Sequence, residues 1–166
     1  MPELNPEHIK AAISAINNGP FIKHLAMSLT EIGAGYSVVV LDVGAEHMNP
    51  FGGLHGGVYA SAIDTAAFWS AYGELPEENG LISIDLKVDF LAPFSDGKIV
   101  IKGRKIKSGK TICLTEARMF DKNEKVLAHG TSKLMVTHNK QSMTDLVSYL
   151  GSTQLPHKFL GTDHAI

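Results

Sequence analysis

The hydrophobic pattern of the chain changes its period near residue 80. Residues 57–73 form a long alanine-rich segment that lacks proline and is apolar nearly all round, which predicts a buried helix. Residues 81–90 instead alternate, with apolar side chains at every even position from 82 to 90. This period of two predicts a half-buried strand that places Ser83 with Asp85 on the polar face, away from the helix.

Capping and turn residues define the other elements. Asn5 as N-cap and Pro6 at the first helical position predict a short helix that ends before Gly19. Two strands are predicted on either side of a turn at 33–35, and further strands at roughly 98–106, 111–120 and 125–137. Because no helices separate the last strands, we expect them to be antiparallel. The pattern therefore predicts an α+β domain in which a long helix packs on an antiparallel sheet.

Composition limits the possible classes of function. The chain has 166 residues, 15 basic against 17 acidic side chains and a formal charge of −2, so no overall basic field suggests nucleic acid. The single cysteine, Cys113, excludes an internal disulfide and a multi-cysteine zinc site. We expect a cytoplasmic protein without a membrane segment, consisting of one domain over residues 1–138 and a C-terminal extension over 139–166 that contains a short helix near 143–150.

Asp64 is the unexpected residue of the long predicted helix. Burial of an unpaired carboxylate costs on the order of several kcal/mol, so alanine or asparagine would favour folding more. We interpret Asp64 as a functional acid. The structural alternative places it on an exposed stripe of the helix with Ser61 and Thr65.

The sequence GLHGG immediately precedes this helix and predicts an oxyanion site at its N-terminus. Free backbone N–H groups and the helix dipole favour negative charge there, and Gly56 and Gly57 leave room for a ligand. The alternative is a tight turn that needs glycine and binds nothing.

Gly57 and Asp64 are seven residues apart. In a helix they project from nearly the same face, but about 10 Å apart along the axis, so one carbonyl group cannot contact both. A two-fold dimer with antiparallel facing helices brings Asp64 of one protomer towards Gly57 of the other, and does so twice. The spacing predicts active sites shared across a homodimer interface.

The segments NPFGGLHGGVYASAID and SIDLKVDFLAP, followed by the hairpin KSGKT, resemble the hotdog-fold acyl-CoA thioesterases of the PaaI type. The resemblance covers roughly residues 24–137. It rests on an asparagine, then HGG, then an acid seven residues after the second glycine, then a serine that starts the next strand. It implies a hotdog fold, hydrolysis of CoA thioesters without a metal or other cofactor, and assembly as a homodimer or a dimer-of-dimers homotetramer.

Carried onto this chain, the resemblance implies roles for five residues. The Gly57 N–H would hold the thioester carbonyl, and Asn49 and His55 would shape and polarise the pocket. Asp64 would act as nucleophile or as general base for water, which Ser83 would position. Because a thioester is already activated, a carboxylate and an oxyanion donor suffice for this chemistry. In the alternative without function, Ser83, His55 and Asn49 are ordinary strand, turn and loop residues.

A basic hairpin is the candidate site for the phosphates of coenzyme A. Arg104, Lys105, Lys107 and Lys110 form the densest basic cluster in the chain, and we expect phosphate contacts from Lys107, Ser108, Gly109 and Lys110. The alternative is a solvated hairpin tip. The segment GRKIKSGKT is not a nucleotide-binding loop, because it has one residue too many and is predicted to lie between strands.

Three functions remain compatible with the sequence. The first is an acyl-CoA thioesterase, the second a hotdog hydratase or dehydratase, and the third a noncatalytic acyl-CoA binding protein. No GxSxG motif marks an α/β-hydrolase, and the histidines lack the spacing of a zinc site. The acyl group stays open, since the apolar residues near the helix fit either a substrate tunnel or the core; they are Phe51, Leu54, Tyr59, Phe68 and Trp69.

Overall fold

The computed structural model describes residues 2–151 and 154–161, and the helices and strands within them follow the predicted order. The helices are α1 (Pro6–Asn17), α2 (Pro20–His24), α3 (Gly56–Tyr72) and α4 (Met143–Leu150). The strands are β1 (Met27–Gly33), β2 (Tyr36–Val43), β3 (Asn79–Phe90), β4 (Gly97–Ser108), β5 (Ile112–Phe120) and β6 (Val126–His138). Neither α2 nor a short 3-10 turn at Ala45–His47 was predicted.

All six strands form one antiparallel sheet in the order β1-β2-β4-β5-β6-β3. Helix α3 packs across this sheet, and its buried side chains form the centre of the core with those of β2, β4 and β5. Two glycines permit this close contact: Gly103 lies against the Ala66 carbonyl, and Gly130 lies beneath Ile63. The predicted α+β architecture of a long helix against an antiparallel sheet is confirmed.

Strand β3 departs from the predicted alternation. Its pairing with β6 shifts register between Ser83 and Asp85, which inserts an extra residue into the strand. Ser83 therefore turns towards α3, whereas Asp85 bonds Lys133 on the opposite face. The prediction that Ser83 shares the polar face with Asp85 is wrong, because a bulge reverses the sides without leaving a mark in the apolar-polar pattern.

The described part of the C-terminal extension packs on the domain. Helix α4 begins with a capping box between Ser142 and Asp145 and ends at Gly151, which has a φ of 63°. Beyond it, the Lys158 carbonyl accepts from Asn5 N–H at 2.9 Å, so the extension contacts the start of α1. No helix in residues 2–151 and 154–161 is long and apolar enough to cross a membrane.

Lys158 joins this extension to the end of α3. Its side chain is fully buried, and its Nζ donates to the carbonyl oxygens of Tyr72 at 2.6 Å and Leu75 at 2.8 Å. Burial lowers the pKa of Lys158 to about 7. The negative charges of Glu77 and Glu78 favour the ammonium form and partly oppose that fall. The Tyr72 ring also lies beside the ammonium group, with its centroid 3.6 Å from Nζ. The lysine thus caps the C-terminal end of α3 and fixes the extension beside it.

Candidate active site

The N-terminus of α3 is held by His55. The side-chain Nδ1 of His55 accepts from the Gly57 backbone N–H at 2.8 Å. The backbone N–H of His55 donates to the His47 carbonyl at 2.9 Å. The preceding loop is organised by Asn49, whose Oδ1 accepts from the N–H groups of Phe51 at 2.9 Å and Gly53 at 3.2 Å. The loop and the histidine therefore fix the direction from which a ligand can approach the helix N-terminus.

The Gly56 N–H has no hydrogen-bond acceptor within the described residues, whereas the Gly57 N–H is already bonded to His55. Gly56 also lines a cavity of about 340 Å³, which Tyr59 and Phe90 border. A substrate carbonyl at Gly57 must replace His55 as acceptor, but a carbonyl at Gly56 replaces nothing. The sequence did not reveal this because histidine is not among the preferred N-cap residues, so its bond to Gly57 was not expected.

Asp64 is half-buried on α3 and forms a hydrogen bond with Ser83. The Ser83 hydroxyl donates to Asp64 Oδ1 at 3.1 Å, and the other carboxylate oxygen has no partner in the part of the chain that the structure describes. Burial raises the pKa of Asp64, and the Ser83 hydroxyl partly offsets this rise because it stabilises the ionised form. Asp64 therefore has one carboxylate oxygen available to a ligand, and its raised pKa makes the carboxylate a stronger base than an ordinary aspartate.

Ser61 and Thr65, which the structural alternative grouped with Asp64, are half-buried as Asp64 is, so the stripe that it expected is present. The Ser61 hydroxyl donates to the Gly57 carbonyl at 2.8 Å, and the Thr65 hydroxyl donates to the Ser61 carbonyl at 2.7 Å. Both hydroxyls are thus bonded within α3 and leave the Asp64 carboxylate to Ser83. The structure brings Asp64 and Ser83 together, and it brings His55 and Gly57 together, whereas Asn49 bonds within the loop that precedes them.

The two groups are separated along α3, which is one continuous helix from Gly56 to Tyr72. At 1.5 Å per residue, Asp64 lies about 10 Å from Gly57 and about 12 Å from Gly56 along the axis. Within a single chain, the carboxylate and the N–H donors therefore cannot act on the same carbonyl group.

The basic hairpin keeps two uncompensated charges. Arg104 pairs with Glu116 at 2.6 Å and Lys105 pairs with Glu74, whereas Lys107 and Lys110 have no carboxylate partner within the described residues. The hairpin itself is closed by a bond from Gly109 N–H to the Ile112 carbonyl at 2.8 Å, and Ser108 Oγ contacts Cys113 Sγ at 3.2 Å.

The hairpin lies far from the carboxylate of its own chain. Ser108, Cys113, Leu134 and Ser83 are cross-strand partners in one row over β4, β5, β6 and β3. Three strand spacings separate Ser108 from Ser83, which corresponds to about 14 Å. The structure therefore does not bring Lys107, Ser108, Gly109 and Lys110 to the Asp64 pair within one chain.

Comparison with known proteins shows which family the chain is similar to. The family model for the thioesterase superfamily matches residues 51–128, which include α3, β3 and the Asp64–Ser83 pair. Over this segment the chain is similar to the thioesterase superfamily. Human acyl-coenzyme A thioesterase 13 is 28% identical over 130 residues, which cover 75% of this chain and 91% of that protein. The 1,4-dihydroxy-2-naphthoyl-CoA hydrolase of Listeria monocytogenes is 26% identical over 117 residues, which cover 70% of this chain and 95% of that protein.

Solved structures agree with this similarity at the level of the fold. The crystal structure of thioesterase HI1161 from Haemophilus influenzae has a TM-score of 0.74 and 20% identity, and the match covers 84% of this chain and 97% of that one. The hotdog fold implied by the sequence is confirmed. These similarities support thioester hydrolysis as the general activity.

We expect the Asp64 carboxyl to titrate above its ordinary value of 3.8, and Ser83→Ala to raise its pKa further because the ionised form loses its hydrogen bond. Because the folded state binds this proton more tightly than the unfolded state does, the stability that Asp64 contributes is lost as pH rises from 3.8 to the raised pKa. Asp64→Asn should therefore unfold at the same or a higher denaturant concentration at pH 7.

Carbon-13 NMR titration of the aspartate carboxyls, with Asp64→Asn for assignment, measures these pKa values. Ser61→Ala is the matched control, because its hydroxyl lies on α3 but is bonded to the Gly57 carbonyl. An Asp64 pKa at or below 3.8, or equal shifts in Ser83→Ala and Ser61→Ala, would contradict the account.

Proposed function

We propose that this chain is a thioesterase that hydrolyses an acyl-CoA thioester to the free acid and CoA, at a site that two copies of the chain complete. The observation that carries the proposal is the separation of the half-buried Asp64–Ser83 pair from the N–H donors that begin the same helix. A thioester needs both a carbonyl polariser and a carboxylate, so each protomer supplies the half that its partner lacks.

The free edge of β3 supports this assembly. The strand is twelve residues long, pairs only with β6, and exposes apolar side chains, of which Ile84 is 51% and Phe90 is 58% exposed. A long apolar edge of this kind promotes pairing with another strand. Because Ser83 lies on β3, a second copy that covers this edge also approaches Asp64. We therefore propose a homodimer, or a tetramer built from two such dimers.

Catalysis then uses the residues in two groups. At the N-terminus of α3 in one protomer, backbone N–H groups hold the thioester oxygen and stabilise the charge that develops on it. We place Gly56 in this role beside Gly57, since its N–H is free, with His55 and Asn49 shaping the loop. Asp64 of the other protomer either removes a proton from water that Ser83 orients, so that the water oxygen attacks the carbonyl carbon, or attacks that carbon itself and forms a mixed anhydride that water then hydrolyses. In both routes the C–S bond breaks, CoA leaves as the thiolate, and a proton that derives from the water neutralises it.

The charged end of CoA requires a separate site. Its phosphates need cations that are not already paired, and the β4–β5 hairpin offers Lys107 and Lys110 together with the polar groups of Ser108 and Gly109. The relatives support a CoA substrate, since one is named an acyl-coenzyme A thioesterase and the other a 1,4-dihydroxy-2-naphthoyl-CoA hydrolase.

Asp64→Asn should abolish thiol release from acyl-CoA, and so should a chain blocked at the helix N-terminus by Gly56→Val and Gly57→Val. A dimer of one chain of each kind contains one intact site, because the asparagine chain keeps its glycines and the blocked chain keeps Asp64. Purification through two affinity tags isolates this mixed dimer, which should recover up to about half of the wild-type rate.

The matched control is a doubly tagged dimer in which both chains carry Asp64→Asn. If the mixed dimer is as inactive as this control, the site is not shared between protomers. If the wild-type chain releases no thiol from any acyl-CoA, the noncatalytic alternative holds. Loss of water across an enoyl-CoA double bond would instead favour the hydratase.

Lys107→Ala with Lys110→Ala should raise the KM for acyl-CoA and flatten its dependence on salt, because two phosphate contacts are lost. Hydrolysis of a truncated substrate, an acyl-pantetheine without phosphates, should not change. Lys122→Ala in the β5–β6 turn is the matched control for an exposed hairpin lysine. An unchanged KM in the double variant would remove this hairpin from the CoA site.

A further inference from the structure

A second and larger cavity lies between the C-terminal half of α3, the start of β3 and helix α4. Its volume is about 750 Å³, within the range of ligand pockets of about 300–1,000 Å³. Phe68 and Trp69 line it from α3, Leu81 from β3, and Leu146 and Tyr149 from α4. The catalytic residues proposed above do not line this cavity.

The cavity lies next to the Asp64–Ser83 pair along both α3 and β3. Phe68 follows Asp64 by four residues on α3, which is about 6 Å along the axis and returns to nearly the same face. Leu81 precedes Ser83 by two residues and lies on the same side of β3, about 7 Å away. Two elements thus lead from the carboxylate pair into the cavity, so a group attached to the reacting carbonyl can reach it.

The lining selects for an apolar group. Most of the wall area comes from aromatic and aliphatic side chains, and the polar side chains Asn79 and Asp145 already have partners in His138 and Ser142. The other polar lining residues, Asn139, Lys140 and Gln141, are exposed. The phosphate-bearing half of an acyl-CoA would lose its hydration against the apolar walls and would find one cation there, the exposed Lys140. The acyl half is the part of the substrate that gains from burial in this cavity.

One wall comes from the C-terminal extension, which lies outside the residues 51–128 that the family model matches. This wall is fixed in place. The carbonyls of Lys140 and Gln141 lie where a Cβ at position 80 would be, so Gly80 lets the segment before α4 pack directly on β3. At the other end, Lys158 holds the chain after α4 to the end of α3.

The geometry points to an acyl-binding cavity in which α4 sets the size of the acyl group that this enzyme accepts. This inference rests on the proposed function. It predicts a preference for extended apolar acyl groups over acetyl, and it names Leu146 and Tyr149 as specificity residues that this chain adds through its extension.

Trp69 provides a direct test, because it is the single tryptophan of the chain and lines the cavity. The Asp64→Asn protein should show a saturable change in tryptophan fluorescence with decanoyl-CoA and little change with acetyl-CoA at equal concentration. Equal responses to both thioesters, or no response to decanoyl-CoA, would overturn the inference. This readout does not depend on catalysis.

Variants of α4 test the size limit. Leu146→Phe fills the cavity and should raise the ratio of kcat/KM for acetyl-CoA to that for decanoyl-CoA about tenfold. Tyr149→Ala should weaken decanoyl-CoA binding without unfolding the protein, since Tyr149 is 78% exposed. Ser148→Phe adds the same ring at an exposed position of α4 outside this cavity and is the control.

The outcomes separate the inference from the proposed function. Suppose that Asp64→Asn abolishes thiol release, but the dependence of kcat/KM on acyl chain length is the same in Leu146→Phe, Ser148→Phe and wild type. This result would overturn the inference and leave the proposed function intact. If Leu146→Phe changes the dimer fraction in size-exclusion chromatography and not the profile, a partner chain fills the cavity and the inference is wrong.

Discussion

The fixed rise of one buried helix determines how this site can be built. Helix α3 runs unbroken from Gly56 past Asp64, and its packing against the sheet leaves no room for a bend. The N–H donors at its start and the carboxylate in its middle are therefore held about 12 Å apart, whatever the substrate does. An enzyme that needs both groups at one carbonyl must obtain one of them from a second chain.

Strand β3 joins this requirement to the assembly of the protein. The strand that carries Ser83 is also an edge of the sheet, and it exposes the apolar side chains of Ile84 and Phe90. The bulge after Ser83 turns the hydroxyl towards Asp64 and Asp85 towards Lys133. One local irregularity thus places a polar pair beside the edge at which the proposed partner would pack.

Much of this fold could be predicted because it follows from local periodicity. The long apolar segment predicts α3, the alternation predicts β3, and the cap at Asn5 marks where α1 begins. Asp64 could be singled out because a carboxylate on a buried helix is costly.

Other features depend on contacts between distant residues and could not be predicted in this way. The bulge leaves the order of apolar and polar letters unchanged, so the side of Ser83 was predicted incorrectly. The bond from Gly57 to His55 required a histidine to act as N-cap, which hid the free Gly56 N–H. The cavity beside α4 is bordered by the extension, which contacts the end of α3 through Lys158 and β3 at Gly80.

The most direct test of the shared site is a crystal structure of Asp64→Asn with intact decanoyl-CoA. The account predicts that the thioester oxygen accepts an N–H from Gly56 or Gly57 of one protomer. It also predicts that residue 64 of the other protomer lies against the carbonyl carbon. A thioester whose carbonyl contacts the helix N-terminus and residue 64 of the same chain, or neither of them, would contradict the account.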